Sequence, residues 1–232
     1  MERSTKAAIS WLTQNLSDVP PHDNWLSKSE RSILATMRFP KRRADWRLGR
    51  WTAKRALLSY FGNTSGLPEI EIRTAADGAP EAFLRNEPEP VSISISHSEG
   101  VGFCVVAPRG NAIGCDIEIV QPRSEHFVAD YFTVEEREYV LQAAATEHPR
   151  LATLIWSAKE SAMKALRQGL RLDTRSVVVS VDENTEQESW NPLTVRCVDS
   201  SRIFYGWWRM NGKYVQIITA DRPTEQPVAL LV

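Results

Sequence analysis

Apolar side chains in this chain recur with two different spacings, and the switches between them mark out its elements. From about Arg43 to Phe61 they follow a helical period, which Gly62-Asn63 closes in the manner of a C-terminal cap. A shorter helix is predicted near Lys28 to Met37, inside a polar, proline-flanked lead-in. After the long helix comes a stretch rich in Pro, Gly and Glu that reads as loop, running through Asp77-Gly78-Ala79-Pro80 and NEPEP at 86 to 90. The period then falls to two: VSISIS (91 to 96), VGFCVVA (101 to 107) and AIGCDIEIV (112 to 120) are predicted strands.

The order then repeats. Thr133-x-x-Glu136 is a capping box that opens a second helical region, and a further helix is predicted over about Leu151 to Arg167. Beyond Gly169 come SVVVSV (176 to 181), LTVRCV (193 to 198) and a hairpin, IFYGWWRM and KYVQIITA, around an Asn211-Gly212 turn. Helix followed by short antiparallel sheet thus appears in each half. The expectation is an α+β fold of two similar lobes, divided as 1–115 and 116–232.

Composition adds mainly exclusions. At 232 residues the chain can bury one substantial core or two small lobes sharing an interface. A formal charge of -1 gives no global field for holding nucleic acid or an anionic membrane, so an anion site must come from a local cluster. No apolar run is long enough to span a bilayer, and MERSTKAAISWL, with Glu2 and Lys6 around a very short apolar run, does not fit a signal peptide. Cys104, Cys115 and Cys197 fall in apolar strand-like runs without a CxxC pair, which points to buried free thiols in a reducing compartment. The protein is therefore expected in the cytoplasm, with neither nucleic acid nor membrane as partner.

Four groups of residues carry candidate chemistry. In the third strand Ile113, Cys115, Ile117 and Ile119 alternate with Gly114, Asp116 and Glu118, so both carboxylates share a face. That face is either solvated or a metal site. Glu160 favours the metal if its helix packs beside the strand, because three oxygen ligands without imidazole or thiolate suit magnesium. Lys159 and Lys164 would offset the charge of an anionic substrate bridged by that ion. Arg43, Arg47, Arg50 and Lys54 form one row of the long helix, flanked by apolar stripes, and border an interface or cleft unless they are a snorkelling basic face. Ser92, Ser94 and Ser96 share a strand face ending at His97, where phosphate binding competes with a structural histidine.

Taken in order, KRRADWRLGRWTAK, SISHSEG, IGCDIE and WSAKESAMKA, the chain resembles the 4'-phosphopantetheinyl transferases of the larger, two-lobed, surfactin-synthetase-activating (Sfp-type) class. The resemblance covers about residues 27 to 170. It implies two pseudo-symmetric lobes, each a helix on a small antiparallel sheet, with coenzyme A bound in the cleft between them. The activity implied is magnesium-dependent transfer of 4'-phosphopantetheine from coenzyme A to a serine of an acyl or peptidyl carrier protein. Carried over by motif, Asp116, Glu118 and Glu160 become the metal ligands. Ser96, His97, Lys159 and Arg42 or Arg43 with Arg50 hold coenzyme A, and Lys164 meets the diphosphate. Glu160, or in second rank Glu136, would accept the serine proton. Gly78-Ala79-Pro80 stands where many relatives carry a lysine in a GKP-like motif, so some affinity for the coenzyme must arise elsewhere. The carrier would dock near residues 121 to 150, and a cleft formed within one chain predicts a monomer. The rival class is a noncatalytic binder of coenzyme A or nucleic acid, which would account for the arginine row but not for the acids.

Overall fold

Proline, glycine and two capping boxes decide where the main helices begin and end. The computed structural model describes residues 8–62, 65–168, 172–181 and 189–231; Glu2, Lys6, Asn63 and Gly169 lie outside them. Helix α1 (Lys28–Thr36) opens on the box of Ser27 and Glu30. The long helix α2 (Pro40–Phe61) starts three residues earlier than its apolar period, because Pro40 in the first turn has no N–H to leave unpaired. It stops at Gly62, whose φ of 59° is the left-handed cap expected. After α3 (Glu125–Tyr131), helix α4 (Val134–Gln142) opens on the box of Thr133 and Glu136, and α5 (His148–Ala165) again has a proline in its first turn. Among the described residues no helix is long and apolar enough to cross a membrane.

The strands form three sheets. In chain order they are β1 (Ser10–Asn15), β2 (Ile70–Thr74), β3 (Pro80–Leu84), β4 (Glu87–Pro88), β5 (Val91–Ser98), β6 (Val101–Pro108), β7 (Ile113–Ile119), β8 (Val177–Val181), β9 (Asn191–Cys197), β10 (Arg202–Asn211), β11 (Tyr214–Ala220) and β12 (Val228–Ala229). One sheet runs β12-β1-β6-β5, a second β7-β11-β10-β9-β8, and a third β2-β3-β4. Only the short β1–β12 pairing is parallel among those described. The architecture is α+β.

Three expectations need correction. The stretch read as loop contains β2, β3 and β4: Ile70 and Ile72 do alternate inward, but prolines at 80 and 88 mask the pairing, and Arg85 and Asn86 turn the β3–β4 hairpin with positive φ. Strand β1 and helix α3 were also unforeseen, being too short to establish a period. Finally, Asn211 pairs with Tyr214, so the β10–β11 turn is Gly212-Lys213 and not Asn211-Gly212.

Helix α2 lies on β6 and β1, and α5 lies on β7 and β11. Both contacts need a glycine. A Cβ on Gly102 would come 2.4 Å from Thr52 Oγ1, and one on Gly114 would come 1.8 Å from the Ser161 carbonyl oxygen. β5 packs against β7, and the Cys115 N–H donates to Ser94 Oγ across the seam.

One buried polar network occurs twice. Glu30 caps Ser27 N–H, pairs with the ammonium of Lys54 on α2, and accepts from Ile72 N–H on β2. Glu136 caps Thr133 N–H, pairs with Lys159 on α5 at 2.8 Å, and accepts from Val179 N–H on β8. Each lysine also donates to two backbone carbonyls, Trp25 and Leu67 in the first network and Thr174 and Val177 in the second. Both lysine side chains are wholly inaccessible. A buried charge keeps its ionised form only with such complete pairing. Lys159→Met, which leaves Glu136 buried without its cation, is expected to lower unfolding free energy by about 3–5 kcal/mol in urea titrations, and Lys54→Met by a similar amount. Gly114→Ala is expected to cost about 1–3 kcal/mol, since helix and strand must separate to admit the methyl group.

Candidate active site

The approach at Gly114 turns the acidic face of β7 toward α5. On the other face Cys115 and Ile117 pack into a core with Phe103 and Ile218. On α5, Ser157, Glu160, Ser161 and Lys164 lie within one stripe at helical spacing. Ser161 meets Gly114 through its carbonyl, and Ser157 and Lys164 meet Asp116 through their side chains. Asp116, only 1% exposed, accepts at Oδ1 from Ser96 Oγ (2.7 Å) and Lys164 Nζ (2.8 Å), and at Oδ2 from Ser157 Oγ (2.6 Å). Lys164 also donates to Ser96 Oγ and to the Cys115 carbonyl, each at 3.0 Å.

Asp116, Glu118 and Glu160 each bring one carboxylate oxygen to within 4.8 Å of the others. Octahedral coordination at about 2.0–2.1 Å puts neighbouring ligand oxygens about 3 Å apart and opposite ones about 4 Å apart, so small side-chain rotations suffice to close the set. The donors are all hard oxygens, and the Lys164 ammonium already rests on Asp116 as a cation. The residues fit magnesium. Burial, with the negative charge of Asp116 next, pushes Glu160 up to about 7, against the pull of Lys164. Glu118 is raised by burial and by Asp116, with Arg123, 3.6 Å from its carboxylate, opposing. Burial works against the charge of Lys164, but Asp116, Cys115 and Glu160 outweigh it and raise its pKa.

Other candidate residues are distributed differently. Ser96 joins the cluster through Asp116 and Lys164, and His97 is exposed where β5 ends. Lys159 and Glu136 do not join it: they are consumed by the buried pair linking α4, α5 and β8, so Lys159 holds no ligand and Glu136 reaches no substrate. The arginine row also faces elsewhere. Arg43 donates to the Leu34 and Met37 carbonyls at the end of α1, and Arg47 to Asp23 and Pro20. Arg50 stacks on Trp46, 4.0 Å from Glu30, with burial lowering its pKa. The reason is rotational. Leu48 and Thr52 face β6 at Gly102, and the row lies on the side of α2 turned to α1. Lys41, on the β6-facing stripe, is exposed and pairs with Asp45 at 3.7 Å and with Glu99 of the β5–β6 turn at 4.0 Å. Arg42 is exposed in the same first turn. Lys41 was overlooked because it falls outside the row, although its spacing of seven from Leu48 was readable.

A cavity of about 780 Å³ is bounded by residues 77 to 83, β5, residues 109 to 113 and the end of α5; Lys164 lines it, while Asp116, Glu118 and Glu160 do not. Arg167 lines it too and pairs with Asp77 (2.7 Å) and Glu81 (3.1 Å), which brings a cation to the Gly78-Ala79-Pro80 turn.

Residues 112–204 match the family model of the 4'-phosphopantetheinyl transferase superfamily. That stretch holds Asp116, Glu118, Glu160 and Lys164, but not Ser96, His97 or α2. Over 118 residues the chain is 33% identical to the 4'-phosphopantetheinyl transferase AcpT of Escherichia coli (strain K12), covering 50% of this chain and 56% of the relative. AcpT of Escherichia coli O157:H7 matches equally. The chain thus aligns with about half the length of these curated relatives. Among solved structures, a holo-(acyl-carrier-protein) synthase from Bacillus anthracis str. Ames in complex with CoA (3',5'-ADP) is 21% identical with a TM-score of 0.39, over 45% of this chain and 97% of that one. The Thermotoga maritima holo-[acyl-carrier-protein] synthase is 18% identical with a TM-score of 0.37, over 56% and 76%.

The cluster predicts a pH response. A carboxyl group that holds its proton more tightly when folded subtracts stability as pH rises from the ordinary carboxylate range, about 4.3, toward its folded value. For Glu160 that window ends at about 7. The melting temperature of the metal-free protein should therefore fall across the window, and Glu160→Gln should flatten the fall. Because Mg²⁺ competes with that proton, its affinity measured by calorimetry should rise with pH through about 7.

Proposed function

We propose that the protein is a magnesium-dependent 4'-phosphopantetheinyl transferase of the surfactin-synthetase-activating class, moving the phosphopantetheine arm of coenzyme A to a carrier-protein serine and releasing adenosine 3',5'-bisphosphate. The observation that carries this reading is the convergence of Asp116, Glu118 and Glu160 inside the stretch matching the superfamily, with Lys164 both resting on Asp116 and lining a cavity of about 780 Å³. The twice-used Lys–Glu network supports the division into two pseudo-symmetric lobes, 1–115 and 116–232, with the cleft along the β5–β7 seam; β7 itself spans the dividing bond.

Asp116, Glu118 and Glu160 hold magnesium, which when bound neutralises diphosphate charge. Lys164 grips the diphosphate and stabilises the leaving bisphosphate as negative charge grows there. Ser96 and His97, with Lys41 and Arg42 from the first turn of α2, hold the nucleotide phosphates, and Arg167 supplies a cation near the turn that lacks the lysine of related enzymes. The serine oxygen bonds to the phosphorus carrying the pantetheine arm, and the bond from that phosphorus to the bisphosphate breaks. The serine proton passes to the oxygen of Glu160 that does not hold the metal. Residues 121 to 150, which carry α3 and α4, receive the carrier.

Incubation with coenzyme A, Mg²⁺ and a panel of apo carriers, read by intact mass, should show addition of phosphopantetheine only when metal is present. Asp116→Ala, Glu160→Ala and Lys164→Ala should each slow transfer by about 100-fold or more. Wild-type protein that modifies no carrier would overturn the reading. Charge reversals over 121 to 150 that leave transfer to every carrier unchanged would overturn the docking assignment.

A further inference from the structure

The carboxylate of Asp116 is held from two sides. Ser96 and Lys164 donate to Oδ1, and the proposed function assigns both to phosphate groups of coenzyme A. Ser157 donates to Oδ2, at 2.6 Å. Its side chain is wholly buried, at 0% exposure, so no solvent competes for its proton. Ser157 sits on α5 one turn before Glu160, and it does not line the large cavity. It is therefore a partner of Asp116 to which the proposed function gives no ligand.

We infer that Ser157 is a positioning residue for the metal centre. Its hydrogen bond clamps Oδ2, which prevents the carboxylate from rotating about its terminal bond and keeps Asp116 oriented within the group it forms with Glu118 and Glu160. Because the hydroxyl is carried by the same helix as Glu160, the bond also sets the register of two ligands that lie far apart in the chain. Outer partners of this kind typically change metal affinity by about 10- to 100-fold. The inference rests on the metal-site reading given above, and it concerns metal affinity, not the transfer step.

The test is calorimetric titration of Mg²⁺ alone into wild type, Ser157→Ala, Ser157→Cys and Ser157→Thr, with melting curves of each metal-free variant. Ser157→Ala and Ser157→Cys are expected to weaken Mg²⁺ binding about tenfold or more, with Ser157→Thr close to wild type. If Ser157→Ala fails to fold, Ser157→Cys carries the measurement, since its thiol fills the space but donates weakly. Lower melting temperatures with unchanged Mg²⁺ affinity would assign Ser157 to packing alone and overturn the inference. Weakened Mg²⁺ binding in a protein whose wild type modifies no carrier would sink the transfer reading and leave this one standing. A wild type that modifies carriers, with Ser157 variants that bind Mg²⁺ normally, would do the reverse.

Discussion

Everything at the candidate site depends on one close approach. At Gly114 the backbone of α5 comes so near β7 that a single methyl group would overlap the Ser161 carbonyl. This contact converts a helix stripe and a strand face, each unremarkable alone, into one surface. It places Ser157 and Lys164 on Asp116 and brings Glu160 within reach of both strand carboxylates. Gathering three acids in a partly buried space is unfavourable, as the raised proton affinity of Glu160 records. The fold tolerates this arrangement because apolar packing on the opposite face of β7 and on the rest of α5 fixes both elements in place.

The charged residues divide into two populations with different physical tasks. Glu30–Lys54 and Glu136–Lys159 are sealed, fully hydrogen-bonded pairs that join each long helix to its preceding short helix and to a sheet. They offer nothing to a ligand. Asp116, Glu118 and Glu160 are three acids facing the single ammonium of Lys164, an imbalance that a divalent cation would offset. Adjacent residues on one helix fall on opposite sides of this division: Lys159 is structural, whereas Glu160 belongs to the site.

Much of this was legible. The period of two in β7 put Asp116 and Glu118 on one side, the Thr133–Glu136 spacing announced a cap, and the spacing in α5 put Glu160 and Lys164 on a common stripe. Other signals misled for identifiable reasons. Arginines at helical spacing look the same whether they border a ligand cleft or a neighbouring segment, and here α1 and the lead-in before it take up the row. Lys159 and Lys164 are both lysines near an acid, and nothing local distinguishes burial under β8 from exposure at a cavity. The short strands β2 to β4 were hidden by prolines at their ends.

The sequence by itself determined the alternation of helical and strand segments, their caps and turns, and which face each side chain would present, because these follow from local sterics and the periods of 3.6 and 2. It also determined the donor chemistry, hard oxygens with ammonium groups. Only the tertiary structure decided which faces meet, since the rotation of α2 and α5 on their sheets is set by long-range packing at Gly102 and Gly114. That packing buried one lysine against Glu136 and delivered the other to Asp116.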